Sequence, residues 1–181
     1  MDVALAIKDK GNILYEQDRL DEALEHFDEA IQIDPKCFEA HFNKASVLDD
    51  LERYRDALES YHAALQLQPY DVDTLAGIGD TLSKIEQLAE AVDCYDKALS
   101  IDRSNITILL KKADNLNDLN RIEEAMECYE KANELQGEED EDEDLCDEDH
   151  EHTNECGHQH YIDDDHCAED HEHGSDCNHH Q

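Results

Sequence analysis

Residues 79–98 read GDTLSKIEQLAEAVDCYDKA, and a matching stretch begins 34 residues earlier, at Ala45. Two more copies of this pattern begin at Gly11 and Ala113. The recurring positions are the alanines Ala23, Ala57, Ala91 and Ala125 and the aromatic residues Phe27, Tyr61, Tyr95 and Tyr129. A period of about 34 residues with small side chains at fixed offsets is typical of stacked helix–turn–helix units. The pattern therefore predicts an all-α array of four repeats.

The repeated residues also indicate a family. In the first repeat they are Gly11, Leu14, Leu20, Ala23, Phe27, Ala30 and Pro35. With their later copies they make the chain resemble the tetratricopeptide repeat family, with repeats at about residues 4–37, 38–71, 72–105 and 106–137. The resemblance implies a right-handed superhelix of helix pairs, in which the first helix of each pair lines a concave groove. It also implies an adaptor that binds peptides or partner helices in that groove.

Within each unit we expect two helices, called A and B. In the first repeat, helix A is predicted from about Ala4 to Tyr15 and helix B from about Leu20 to Ile31. Gly137 is a predicted helix stop at the end of the fourth repeat. The apolar positions expected to fill the space between helices are Leu14, Leu48, Leu82 and Leu116, then Leu20, Tyr54, Leu88 and Ile122, and finally Leu24, Leu58, Val92 and Met126.

The family resemblance also places candidate partner contacts on the A helices. The candidates are Lys8, Asn12, Glu39, Asn43, Asp73, Asp80, Lys111 and Asp114. Because acidic residues outnumber basic ones at the groove-facing positions, a basic or amphipathic protein segment is the favoured ligand. Some family members clamp the carboxylate end of heat-shock chaperones. Although Lys8, Asn12 and Asn43 match that clamp, the remaining positions fall on Asp73 and Gly77, so chaperone-tail binding is not favoured.

The charge of the chain limits its partners. A formal net charge of -36 disfavours binding to nucleic acid and to anionic membranes. The N-terminus does not resemble a secretory signal and no apolar run could span a bilayer, so we expect a cytoplasmic protein with reduced cysteines. Monomers or weak self-association are expected.

Composition changes sharply after residue 137. Residues 138–181 contain no Lys or Arg, but they contain 19 acidic residues, nine histidines and four cysteines. With so few apolar side chains this region cannot bury a core, so we predict an acidic linker at 138–145 and a tail at 146–181 that is disordered without metal.

A duplicated motif in the tail predicts metal binding. The segment from Cys146 to His158 reads CDEDHEHTNECGH, and 21 residues later Cys167 begins CAEDHEHGSDCNH. Thiolates and imidazoles are the ligands preferred by Zn, with Ni, Cu or Co as alternatives. The predicted ligands are Cys146, His150, His152, Cys156, His158, Cys167, His171, His173, Cys177 and His179. The other interpretations are a plain tail with incidental Cys and His, and a tail with disulfides.

Two functional hypotheses follow. In the first, the chain is a protein-binding scaffold with a metal-binding tail for delivery, storage or sensing. In the second, it is an adaptor, similar to a co-chaperone, whose acidic tail only solubilises it or contacts basic partners. No phosphate-binding loop and no local nucleophile–base arrangement is present in the sequence, so an enzyme is not expected.

Overall fold

The structure is a computed structural model that describes residues 3–143, including the side chains of residues 3–137. The described part consists of eight α-helices and contains no strand. The helices are α1 (Val3–Glu16), α2 (Leu20–Ile33), α3 (Phe38–Asp50), α4 (Tyr54–Leu67), α5 (Val72–Lys84), α6 (Leu88–Ile101), α7 (Ile106–Asp118) and α8 (Ile122–Glu143). The odd-numbered helices are the A helices and the even-numbered ones are the B helices. The all-α class and the repeating helix pairs are confirmed.

The turn from helix A to helix B has the same geometry in every repeat. A non-glycine residue with positive φ follows each A helix: Asp18 at 59°, Glu52 at 59°, Glu86 at 64° and Asn120 at 61°. The next amide then donates back to a leucine carbonyl, as Gln87 N does to Leu82 O at 2.9 Å. This bond satisfies a carbonyl that the helix end leaves unpaired. The left-handed residue therefore turns the chain tightly enough for helix B to pack against helix A.

Small residues let the two helices of a repeat approach closely. Ala23, Ala57 and Ala91 on the B helices have no exposed surface. On the facing helix α5, a Cβ added to Gly79 would lie only 2.6 Å from the Tyr95 ring. Because that distance is shorter than a normal van der Waals contact, the ring occupies the space that a larger residue at position 79 would need.

Contacts between repeats place the A helices on the inside of the curve. In the described residues α1 contacts α3, α3 contacts α5 and α5 contacts α7, whereas no B helix contacts the next B helix. The A helices therefore lie closer together than the B helices, so their side of the array is concave. Side chains from several repeats therefore lie along one concave surface.

Two of the predicted core residues are exposed. Ile122 is 45% exposed and Met126 is 55% exposed, although both were expected to fill space between helices. The equivalent residue of the third repeat, Val92, is 2% exposed. Val92 is in the apolar cluster that includes Ala113 and Leu116 of α7. In the described residues no further repeat follows α8, so the side chains at the same positions of the last B helix are left uncovered.

The predicted helix stop at Gly137 is wrong. Helix α8 continues through this glycine and ends at Glu143, within the predicted acidic linker. Glycine inside a helix costs only about 1 kcal/mol relative to alanine, and the common glycine helix end has a left-handed backbone conformation. No glycine of the described residues has positive φ. None of the helices within residues 3–143 is long and apolar enough to cross a bilayer.

Candidate partner-binding groove

An open cavity of about 370 Å³ lies on the side of the array formed by the A helices. Its lining comes from α3, α5 and α7, with two aromatic rings from α4 and α6 behind them. The lining residues are Asp49, Tyr61, Gly77, Asp80, Ser83, Lys84, Tyr95, Lys111, Asp114, Asn115 and Asp118. We call this surface the groove. Its position spanning the second to fourth repeats makes it the candidate site for a partner.

Two carboxylates of the groove are paired with lysines of the following repeat. The ammonium of Lys111 lies 2.6 Å from Oδ2 of Asp80. Lys84 makes the corresponding ion pair with Asp49. Burial opposes the charge on Lys84, but the hydrogen bond and the charge of Asp49 outweigh it and raise the pKa of this ammonium. Both lysines are therefore engaged within the array rather than free to receive an acidic ligand.

Tyrosine hydroxyls from the B helices donate hydrogen bonds to carboxylates of the groove. The hydroxyl of Tyr95 donates to Oδ1 of Asp80 at 2.8 Å, and that of Tyr129 donates to Oδ1 of Asp114 at 2.5 Å. Burial and the Asp80 carboxylate raise the pKa of the Tyr95 phenol, which therefore remains a donor. The hydrogen bond with Asp114 similarly raises the pKa of Tyr129. These bonds hold the carboxylates in fixed positions.

The charge of the groove is negative. Its lining includes four carboxylates, those of Asp49, Asp80, Asp114 and Asp118, against two lysine ammonium groups. Both lysines already contact carboxylates, so the excess negative charge is concentrated at the α7 end of the groove. A wall of this kind attracts cationic groups and repels carboxylates.

The structure brings together part of the predicted contact set. Asp80, Lys111 and Asp114 line the groove. In the first two repeats, Nδ2 of Asn43 donates to Oδ1 of Asn12 at 2.7 Å, which links α3 to α1.

The other three predicted residues do not line this cavity. The ammonium of Lys8 lies 3.0 Å from its neighbour Asp9, while Glu39 and Asp73 are exposed on α3 and α5. The assignment of all eight residues as partner contacts remains a prediction.

Two kinds of groove residue were missed at the sequence level. Tyr61, Tyr95 and Tyr129 were recognised only as recurring aromatic positions of the repeat, although an acidic residue precedes Tyr95 and Tyr129 by 15 positions. That spacing was the available signal. Asn115 was also missed, because it occupies a buried position that holds Val47 and Thr81 in the preceding repeats. Sequence alone gave no sign that this amide also borders the groove.

The predicted metal ligands lie outside the described residues. Within residues 3–143, no group of three or more His, Cys, Asp or Glu side chains is arranged to hold a metal ion. The cysteines of the array are separate thiols: Cys128 is buried, and Cys37 and Cys94 are half-buried. Metal binding by Cys146 to His179 remains a prediction.

Comparison with known structures supports the fold. The chain is similar to a structure described as "Crystal structure of MamA", with a TM-score of 0.75 and 16% identity over 77% of this chain and 82% of that chain. It is also similar to "MamA 41-end from Desulfovibrio magneticus RS-1", with a TM-score of 0.73 and 22% identity over 77% of this chain and 79% of that one. At these identities the likeness concerns the fold alone.

Protein-family models match most of the chain. No curated protein sequence gives a significant match. One tetratricopeptide repeat model matches residues 8–72, and a second one matches residues 72–105 and 106–139. The matches are continuous along all eight helices and agree with the 34-residue period of the sequence. The chain therefore belongs to the tetratricopeptide repeat family.

Proposed function

We propose that this protein is an interaction scaffold that binds a basic or amphipathic segment of a partner protein in its groove. The repeat family supports the general role of a protein–protein interaction scaffold. The preference for a basic ligand depends on one observation: the groove has four carboxylates and only two lysines, both of them paired. An acidic peptide would meet uncompensated like charge there, whereas a basic one would not.

A display library of random peptides, selected against the full chain, tests this proposal. We expect the enriched peptides to carry net positive charge. We also expect their affinity, measured by fluorescence anisotropy, to fall as salt is added, because the attraction is screened. Enrichment of neutral or acidic peptides would contradict the proposed ligand class.

Two neighbouring lysines provide a matched pair of variants. Lys111 contacts Asp80 in the groove, whereas Lys112 contacts Asp96 outside it, at 2.6 Å in both cases. Lys111→Gln leaves Asp80 without its lysine, so we expect an enriched basic peptide to bind severalfold more tightly. Lys112→Gln removes the same charge from the same helix and should have little effect. Equal effects of the two substitutions would place the peptide outside the groove.

We also propose that residues 146–181 bind a transition metal. This proposal is supported by the sequence alone: two copies of one Cys/His unit, 21 residues apart, each with two cysteines and three histidines. Two thiolates and two imidazoles per unit would satisfy a tetrahedral zinc site, and Ni, Cu or Co are alternatives. Metal binding would then serve delivery, storage or sensing.

Elemental analysis of untagged, reduced protein, purified without metal-affinity resin, tests the metal proposal. We expect about one or two equivalents of a single metal per chain if each unit forms a tetrahedral site. Replacing the four tail cysteines with serine should abolish uptake, whereas replacing Cys37, Cys94 and Cys128 should not. An absence of uptake from Zn, Ni and Cu(I) solutions would leave the second hypothesis, an adaptor with a solubilising acidic tail.

A further inference from the structure

The pairing of carboxylates with lysines along the groove stops at the last repeat. Asp49 and Asp80 each contact a lysine one repeat further on. Asp118 stands 34 residues after Lys84, so the last repeat has a carboxylate where the third has an ammonium. In residues 3–137 no hydrogen bond or ion pair reaches Asp118, and Asp114 is contacted only by the Tyr129 hydroxyl. Two carboxylates at the α7 end of the groove therefore lack a cation.

The buried amide oxygen of Asn115, the residue that follows Asp114, also lacks a partner. Asn115 is 5% exposed and lines the groove. Its Nδ2 donates to the Lys111 carbonyl at 2.9 Å, which fixes the orientation of the amide, but its Oδ1 accepts no hydrogen bond from the described residues. A buried acceptor without a donor is unfavourable, and such groups in native structures require an explanation.

The repeats before it show that the fold does not need an amide at this position. The equivalent residue in the second repeat is Val47, which is fully buried. In the third repeat it is Thr81, whose single hydroxyl hydrogen has two acceptors within reach, Asp49 at 3.0 Å and the Gly77 carbonyl at 2.8 Å. Packing at this position is therefore satisfied by apolar or internally bonded side chains in the second and third repeats, whereas Asn115 has an unsatisfied acceptor.

We propose that Asp114, Asn115 and Asp118 form a subsite for an arginine side chain of the bound partner. This inference rests on the proposed function, because it assigns one contact of the basic segment in the groove. Asp114 and Asp118 are four residues apart and lie on one face of α7. Asp114 and Asp118 present only acceptors, and the atom of Asn115 that lacks a partner is the acceptor Oδ1. A guanidinium group has five donors and no acceptor. A lysine ammonium is a compact charge that would match one carboxylate rather than all three acceptor side chains.

The first experiment titrates the full chain with N-acetyl-arginine amide, once without and once with EDTA, and follows backbone amide shifts by NMR. N-acetyl-citrulline amide, a neutral compound of nearly the same shape, is the matched ligand control. We expect shifts centred on α7 with the arginine compound only. Asp118→Asn and Asp114→Asn should each weaken binding by about fivefold, as expected for one charge-assisted hydrogen bond in a solvated site. Asp93→Asn, an exposed change on α6, should not.

Two further variants separate a binding role from a structural one. Asn115→Leu replaces the unsatisfied amide with an apolar side chain, as at Val47, so we expect a folded protein that binds the arginine compound less tightly. The double variant Ser83→Asp and Asp118→Lys recreates, 34 residues further on, the pair formed by Asp49 and Lys84. With its own lysine present, the subsite should no longer bind the arginine compound.

The outcomes distinguish this inference from the proposed function. Equal binding of the citrulline compound, or unchanged binding by the Asp114 and Asp118 variants, would overturn the arginine subsite. Shifts that disappear when EDTA is present would also overturn it, because they would indicate a divalent cation. In each case a basic library peptide that still responds to Lys111→Gln would leave the proposed function standing. If the library yields no basic peptide while the arginine compound binds at α7, the proposed function fails alone.

Discussion

Asp80 receives hydrogen bonds from two different repeats, because its Oδ2 lies 2.6 Å from the ammonium of Lys111 while its Oδ1 accepts from Tyr95 at 2.8 Å. The tyrosine belongs to the same repeat and the lysine to the next one. This carboxylate therefore joins helix B of one unit to helix A of the following unit. The wall of the groove is thus also a structural connection between repeats.

The first prediction concerns the tyrosine of this connection. Tyr95 is 1% exposed, so Tyr95→Phe keeps the buried ring but removes the donor to Asp80. A hydrogen bond to a charged group contributes about 1.5–3 kcal/mol, and because Asp80 keeps its ion pair with Lys111 we expect a loss of about 1.5 kcal/mol. Urea denaturation monitored by circular dichroism measures the free energy of unfolding.

Tyr129→Phe is the control for this change. The Tyr129 hydroxyl makes the same kind of bond to Asp114 in the fourth repeat. That carboxylate has no lysine partner in the described residues and is accessible to water. Water can replace the lost donor there, so the decrease should be below about 1 kcal/mol. A larger effect at Tyr129 than at Tyr95 would show that the Asp80 connection does not stabilise the array.

The second prediction concerns alkaline pH. The Tyr15 hydroxyl donates a hydrogen bond to Asp50 at 2.6 Å. This bond, together with partial burial, raises the pKa of Tyr15 from 10.0 to about 12. Between these values the folded chain holds a proton that the unfolded chain has lost, so the free energy of unfolding falls as the pH rises. The stabilisation is complete below pH 10 and is lost as the pH passes about 12. Tyr61, Tyr95 and Tyr129 have raised pKa values and act in the same direction.

Denaturant titrations at several alkaline pH values measure this loss, and tyrosinate absorbance reports the ionisation itself. Tyr15→Phe removes the group, so stability should depend less steeply on pH in that variant. Tyr70→Phe is a suitable control because Tyr70 is 79% exposed. A Tyr15 variant whose stability falls with pH as steeply as the parent would exclude this tyrosine as a source.

Most of the fold could be predicted from the sequence because the same pattern of residues recurs in four repeats. The 34-residue period fixes the helix pairs and their small residues, and each helix of the first repeat agrees with its prediction within two residues. Ile122 and Met126 were mispredicted for a physical reason. Periodicity treats every repeat alike, whereas burial also depends on having a neighbour, and the last described helix has none on one side.

The site was less predictable, because it depends on pairing across repeats. Sequence placed Asp80 and Lys111 in the groove but could not reveal that each neutralises the other. Asn115 has an amide where the equivalent positions have Val47 and Thr81. Its unsatisfied oxygen becomes evident only when the positions of the surrounding donors are known. Charge composition predicted the sign of the groove, while the location of its unpaired charge required the structure.

The third prediction tests the close contact between α5 and α6. In Gly79→Ala the new methyl group would lie 2.6 Å from the Tyr95 ring, which must shift away from its hydrogen bond with Asp80. Overpacking costs about 1–3 kcal/mol and the helix gains about 1 kcal/mol from alanine. Since alanine occupies the equivalent positions 45 and 113, the ring can adjust, and we expect a net loss of about 1 kcal/mol.

Gly137→Ala is the matched control for position 79. Gly137 also lies inside a helix, but a Cβ added to it would meet no atom within 4 Å. The substitution should therefore show only the helix preference and stabilise α8 by about 0.5–1 kcal/mol. Chemical denaturation of both variants gives the comparison. Equal stabilisation at the two positions would mean that the Tyr95 ring does not restrict position 79.

The last prediction uses the left-handed residues between helices A and B. Glu86 has a φ of 64°, a conformation that costs a non-glycine residue about 1–2 kcal/mol. Glu86→Gly removes this cost but adds conformational entropy worth about 0.4–1 kcal/mol to the unfolded chain, so we expect a net gain of about 0.5–1 kcal/mol. Glu90→Gly, an exposed change inside α6, should instead destabilise by about 1 kcal/mol. Opposite signs in denaturation experiments would confirm the turn geometry, whereas a loss at both positions would contradict it.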